Sequence, residues 1–204
     1  MILRLSHFFN CCMIGFWIIA GFVFACLGWG VILQLPKTRG WAFEQTVAWM
    51  LVFLPKREYR VINNLYFRDG RSSCQIDHLI VSRYGVFVIE AKNYLGAISG
   101  NGSDKMLQRK VFGMRYKTRN PIDQNDWHER YLIEHFPVIR KNRESLVPMV
   151  VFNFSSFPRI KKAPCPVCKI QSLLKTIRSY KTLTLDEESV YHIIRELQQQ
   201  NRNK

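Results

Sequence analysis

Two short apolar runs, Gln75 to Val81 and Val86 to Lys92, flank the turn-like Ser82-Arg83-Tyr84-Gly85, and their pattern predicts a β-hairpin. Both runs carry charge where a plain core strand carries none. Strand side chains alternate faces, so Glu90 and Lys92 point the same way, and Asp77 reaches that side from the first run. Around this hairpin the periodicity changes. Trp41 to Leu54, between Gly40 and Pro55, has helical spacing, with Glu44, Val47, Ala48 and Leu51 at i, i+3, i+4 and i+7, which puts Glu44 on an apolar stripe. Tyr59 to Phe67 reads as a strand closed by Arg68-Asp69-Gly70-Arg71, and Gly96 to Gly100 as a further short strand. Asn120-Pro121 opens a helix through about Phe136, with Gln124 and His128 one turn apart on one face. Leu146 to Phe154 is an apolar strand, and Cys168 to Tyr180 and Asp186 to Gln200 are terminal helices, the second preceded by the capping pattern Thr184-Leu185-Asp186-Glu187. This order predicts an α/β domain, a mixed sheet flanked by helices.

The N-terminal pattern is of another kind. From Leu5 to Leu35 there is no Lys, Arg, Asp or Glu, a stretch longer than the roughly 20 residues that cross a bilayer as a helix. It predicts one transmembrane helix ahead of the domain. Lys37, Arg39, Lys56 and Arg57 outweigh Arg4 and the amino terminus, so the positive-inside rule places the C-terminal domain in the cytoplasm of a single-pass inner- or plasma-membrane protein. The expected organisation is an anchor over 1–36, the main domain over 37–160 and a helical extension of that domain over 161–204.

Charge adds a partner class. Lys and Arg number 30 against 15 Asp and Glu, a formal net charge of +15, which favours polyanions, either nucleic acid or an anionic leaflet. The segment Lys105 to Arg119 concentrates it: Lys105, Arg109, Lys110, Arg115, Lys117 and Arg119 alternate with Phe112 and Tyr116. Cations interleaved with aromatics suit phosphate contact and base stacking, although a solvated face has the same composition. The six cysteines make no disulfide framework. Cys11, Cys12 and Cys26 lie in the apolar stretch, Cys74 is alone, and Cys165 and Cys168 form a CxxC with no second pair at zinc-ligand spacing.

Asp77 and Glu90 offer hard oxygen ligands for Mg²⁺ or Mn²⁺, the Ala91 carbonyl lies between Glu90 and Lys92, and Lys92 supplies charge or a proton-handling group; this is the equipment for phosphodiester hydrolysis. An ion pair on an exposed strand face has the same spacing. The ordered set Gln75-Ile76-Asp77-His78-Leu79-Ile80-Val81, Gly85-Val86-Phe87-Val88-Ile89-Glu90-Ala91-Lys92-Asn93, Gly96 and Asn120-Pro121-Ile122-Asp123-Gln124 resembles the nuclease-related domain family, NERD, of the PD-(D/E)xK restriction-endonuclease-like nucleases, over roughly Gly40 to Phe154. The resemblance implies a restriction-endonuclease-like mixed central sheet. It implies that Asp77 is the acidic residue of the first catalytic strand, that Glu90 and Lys92 are the (D/E)xK element, and that Glu44 is a helix carboxylate assisting the metal. Gln124 would be the helix glutamine of related RecB-type nucleases, with His128 where an aromatic often follows. The expected activity is a membrane-anchored, Mg²⁺- or Mn²⁺-dependent nuclease acting on DNA, with RNA a further candidate substrate. It would bind substrate through Gln124, His128 and the basic segment, and would need no organic cofactor. The alternatives are a module that keeps the fold and binds nucleic acid or a membrane surface without turnover, and a membrane protein whose domain binds another protein.

Overall fold

The computed structural model describes residues 36–70 and 72–202. The predicted membrane span over 5–35 lies outside the described residues, and no described helix is long and apolar enough to cross a membrane. The chain divides into two compact units, Met1–Ala42 and Phe43–Lys204. Of the first, residues 36–42 are described, as the opening turns of helix α1, Pro36–Leu51. The second unit holds both sheets and the helices beyond α1.

Its main layer is a five-stranded sheet in the order β1 (Tyr59–Asp69), β2 (Ser72–Ser82), β3 (Gly85–Lys92), β7 (Leu146–Phe152), β9 (Val167–Lys169). The first three strands are an antiparallel meander, and β7 and β9 add in parallel. The predicted hairpin is β2–β3, closed by Arg83 and Tyr84. A second sheet, β6 (Met114–Arg119), β5 (Met106–Val111), β4 (Gly96–Asn101), β8 (Ser156–Lys161), is antiparallel except for the parallel β4–β8 pair.

Helices cover both faces of the five-stranded sheet, which is why its central strand reads as a nearly unbroken apolar run. On one face Leu79, Val81, Val86 and Val88 pack with Tyr131 and Leu132 of α2 (Pro121–His135), Ile139 of α3 (Pro137–Lys141), Phe136 between the two, and Ile193 and Leu197 of α5 (Glu187–Arg202). On the other, Ile80, Phe87, Ile89 and Val151 meet Phe43, Val47 and Leu51 of α1 and Leu173 and Ile177 of α4 (Leu173–Arg178). Each such side chain contributes about 1.5–3 kcal/mol on leaving water. A third cluster, Ile98, Leu107, Ile122, Val150, Phe152 and Cys165, seats the second sheet on β7 and the start of α2. Gly96 makes that seating close: with φ +90°, a Cβ there would meet the Lys110 carbonyl oxygen at 2.2 Å.

The structure changes several predicted elements. The single central sheet becomes two, because Lys105 to Arg119 folds into the β5–β6 hairpin and the Pro-containing stretch Ser156–Lys161 pairs in parallel with β4. Helix α1 stops at Leu51, and its last turn tapers through three-residue bonds from Val52, Phe53 and Leu54 to Trp49, Met50 and Leu51, since Pro55 disfavours helical backbone at Leu54. Cys168 to Tyr180 is not one helix: Val167–Lys169 adds to the sheet edge beside β7, and helix begins only after the 3₁₀ turn Ile170–Ser172. Helix α5 begins at Glu187, where Asp186 caps it by accepting the Ser189 amide at 2.7 Å.

Candidate active site

The β2–β3 pairing runs from Ser82↔Gly85 to His78↔Ile89 and stops there. One step further in the same register Asp77 faces Glu90 across strands that have parted, so the gap is lined by carboxylate in place of ladder bonds. Asp77 Oδ2 accepts the Ala91 amide at 2.9 Å. The carbonyl of an extended residue lies on the same side as its amide, so the Ala91 oxygen turns toward this gap as well. On the partner strand, β1 also skips a pair here, and Asn64, opposite Asp77, has φ +52°.

Glu90 and Lys92 share the face of β3 that α2 covers. Glu90 is 1% exposed, yet beyond the Lys92 ammonium, in contact with its Oε1, neither carboxylate oxygen has a hydrogen-bond donor. Lys92 Nζ also donates to Gln124 Oε1 at 3.0 Å. His128 Nδ1 lies 3.4 Å from Glu90 Oε2, a contact without hydrogen-bond geometry. Glu44, on the wall of α1 beside the Phe43-Val47-Leu51 stripe, is half-buried and senses both Asp77 and Lys92.

Three carboxylates thus converge on one ammonium. Burial, with Asp77 next, pushes Glu90 up to about 8. Burial likewise raises Asp77, against the Ala91 amide and Lys92, and raises Glu44, with Asp77 adding to it. Burial pulls Lys92 down, but the Glu90 carboxylate more than offsets this and holds the ammonium above its ordinary value. Burial, with the charges of Lys92 and Arg119, holds His128 down near 4, so its ring is neutral. The cluster lacks positive charge, which is the condition a divalent cation corrects.

Helix α2 keeps Gln124 and His128 in place. Asn120 caps it, accepting the Ile122 amide at 3.0 Å while its Nδ2 donates to the carbonyls of Gly102 and Asp104. Asn125, completely buried, donates through Nδ2 to the carbonyls of Val88 at 2.9 Å and Met149 at 3.1 Å, pinning the helix to β3 and β7. Sequence reasoning missed Asn125. Its signal was the one that marked Glu44, a polar residue on a buried stripe, here beside Ile122, His128 and Leu132.

The predicted basic set divides by register. Lys110, Arg115, Lys117 and Arg119 lie with Met106 and Gln108 on an exposed face of the hairpin, while Arg109 turns inward over the rings of Tyr94 and Tyr116, 5.4 and 5.6 Å from their centres. Lys105 stands at the hairpin base, where its carbonyl takes the Asn120 amide. His128, predicted beside Gln124 as a substrate contact, is buried against Glu90. Cys165 and Cys168 sit apart, their thiols pushed up to about 11 by burial. Among the described residues no group of three or more His, Cys, Asp and Glu is gathered tightly enough to hold a metal ion unaided.

A match to the nuclease-related domain, NERD, covers residues 39–153, more than half of the chain. The chain belongs to the NERD family. That family is part of the restriction-endonuclease-like superfamily, and the mixed α/β architecture agrees with it. An uncharacterized protein of Bacillus anthracis is 29% identical to this NERD chain over 164 residues, 78% of this chain and 76% of its own length. A solved structure, SfsA of Pyrococcus furiosus in complex with Ca²⁺, aligns at 16% identity over 81% of this chain with a TM-score of 0.26, a likeness too slight to argue from; this chain spans about half of it, 54%.

Proposed function

We propose that this NERD protein is a metal-dependent nuclease that hydrolyses DNA phosphodiester bonds, anchored by residues 5–35 in an inner or plasma membrane with its domain in the cytoplasm. The observation that carries this reading is Glu90, a buried carboxylate that takes no hydrogen-bond donor besides the Lys92 ammonium, opposite Asp77 at the point where two strands part. Burying a carboxylate with a single ionic partner costs more than an apolar pair of the same size, and such shifted, buried groups gather at functional sites.

Asp77, Glu90 and the Ala91 carbonyl form a hard-oxygen donor set that fits Mg²⁺ or Mn²⁺, with Glu44 adding negative charge at its edge. When bound, such a cation would acidify a water and offset charge on the phosphate. Asp77 is held in orientation by the Ala91 amide. Lys92, gripped between Glu90 and Gln124, is placed to meet a phosphate oxygen or the attacking water once Glu90 turns its charge to a metal. His128 and the apolar wall of α2 keep bulk water from the far side of Glu90. The exposed cations of the β5–β6 hairpin would hold the DNA backbone. The anchoring rests on the uncharged apolar run and its flanking cations.

One observation favours the alternative of a binding module without turnover: Lys92 already satisfies Glu90, and no ready-made three-ligand cage stands among the described residues. Cleavage of single-stranded, duplex and branched DNA, and of RNA, by the full-length chain in detergent with Mg²⁺ or Mn²⁺ separates the two. Glu90→Ala and Lys92→Ala are each expected to lower the rate at least roughly 10³-fold while DNA binding persists. Equal rates for wild type and both variants sink the nuclease.

A further inference from the structure

We propose that the tip of the β5–β6 hairpin is a base-stacking wedge, with Phe112 as the inserting side chain, that selects DNA in which paired and unpaired strands meet. The inference rests on the nuclease reading above and adds a substrate class to it.

Phe112 is 88% exposed, more than any other large apolar side chain among the described residues. It stands in the left-handed region at φ +48°, followed by Gly113 at φ +85°, so the hairpin closes through two residues of positive φ. Such a turn favours Asn, Asp or Gly at its first position. A phenylalanine there is strained and buries nothing in return, so neither turn chemistry nor packing accounts for it. Strand β4 accompanies β5 only from Gln108 to Lys110, and Phe112 and Gly113 lie beyond the last β5–β6 pair, Val111 with Met114.

Just behind the tip Lys110 lies directly opposite Arg115, followed by Gln108 opposite Lys117. Cations directly across a ladder repel each other, a small screened cost here that a dense negative charge turns into attraction. The ribbon is two strands wide, the size a major groove admits, and carries cations for phosphates with an aromatic at its end. Every base has a face on which an aromatic stacks, and inserting a ring is least costly where pairing is already broken. Forks, flaps and frayed ends meet that condition; an intact duplex does not.

The hairpin base points to nucleic acid over a lipid surface as the occupant. Asn120 joins the Lys105 carbonyl to the cap of α2, whose first turn holds Gln124 on Lys92. Arg109, on the inner face, lies over Tyr94, two residues beyond Lys92. The Arg119 charge at the end of β6 reaches His128. What the hairpin grips is therefore delivered to the carboxylates.

The test uses the full-length chain in detergent with EDTA, binding a forked duplex, a blunt duplex of the same sequence, and a fork carrying 2-aminopurine at its first unpaired position. The wild type is expected to bind the fork about tenfold tighter than the blunt duplex and to change the 2-aminopurine emission. Phe112→Asn, which suits the turn, is expected to lose that preference and the emission change, with blunt-duplex affinity kept and the unfolding temperature equal or higher. Phe112→Trp should keep both signals. A Phe112→Asn protein that still prefers the fork overturns the wedge, as does one that unfolds earlier and loses both DNAs alike. Loss of binding to anionic phospholipid vesicles with fork binding intact overturns it in favour of a lipid contact. If the wild type binds fork and blunt duplex equally in EDTA, and cleaves both equally once Mg²⁺ replaces it, the wedge fails and the nuclease stands; if it binds neither, the nuclease reading fails first.

Discussion

The carboxylate centre and the cationic hairpin both crowd like charges together, one in the dry interior of the five-stranded sheet, the other on the open face of the four-stranded one. Burial raises the proton affinity of Asp77, Glu90 and Glu44, Asp77 adds to it at the other two, and fixed dipoles and Lys92 must do the work of the missing water. Lys110 and Arg115 are as ill-matched across their ladder, but solvent screens them. The same device, unbalanced charge, is thus tied to stability in one region and nearly free of it in the other. A small cation answers the first and a polyanion the second. Removing charge or its supports should therefore move folding at the centre and binding at the hairpin.

The largest effect on folding should come from the support beneath the centre. Asn125→Ala removes both donors from the Val88 and Met149 carbonyls, which stay buried without them. The expected loss is about 3 kcal/mol, read from urea unfolding, with the activity of the folded fraction lowered because α2 no longer fixes Gln124 against Lys92. A loss no larger than that of an exposed-site substitution would show that α2 docks without this bridge.

Acidity should move the centre next. Glu90 is raised from 4.5 to about 8, so the native protein keeps a proton that the unfolded chain has released. Its stabilising contribution is full below about pH 4.5 and is lost as pH rises through about 8. His78 and His128, both held near 4 by burial, act oppositely, but only below about pH 6.5, where the unfolded chain takes up their protons. Between about pH 6.5 and 8 Glu90 therefore sets the slope, and the metal-free protein should lose about 2 kcal/mol. Glu90→Gln should flatten that limb, and millimolar Mg²⁺ should restore the wild type at the alkaline end. A thermal midpoint that rises across this interval without metal contradicts the buried carboxylate.

The centre was legible in the sequence and the hairpin was not, for a physical reason. Strand alternation fixed the shared face of Glu90 and Lys92, and charges inside an apolar run stood out against their neighbours. Helix α2 was legible from Asn120-Pro121, since capping is a local matter. Lys105 to Arg119 has almost no apolar contrast, because only Leu107 is buried, and Phe112 stands where such a turn favours Asn, Asp or Gly; its place in a sheet depends on β4, whose other neighbour is β8, many residues later. The same remoteness hid β9, whose three residues become a strand only beside β7. Asn125 stood on a buried stripe, but its role escaped because its partners are main-chain carbonyls, which no residue type marks.

The smallest effect on stability, and the sharpest contrast with the centre, belongs to the hairpin's outward face. Lys110→Gln, Arg115→Gln and Lys117→Gln together remove cations whose side chains are exposed and whose cross-strand neighbours repel or ignore them. Relief of the Lys110–Arg115 pair is worth a few tenths of a kcal/mol, so the unfolding temperature should hold or rise by about 1 °C. Binding should respond strongly: each phosphate contact contributes a slope of about 0.9 to the dependence of log affinity on log salt, so the triple variant should lose nearly three units of slope on duplex DNA. Melting and salt titration on one preparation therefore separate the two regions. A triple variant that melts earlier, with its salt slope intact, would make these cations part of the fold and return the polyanion to another surface.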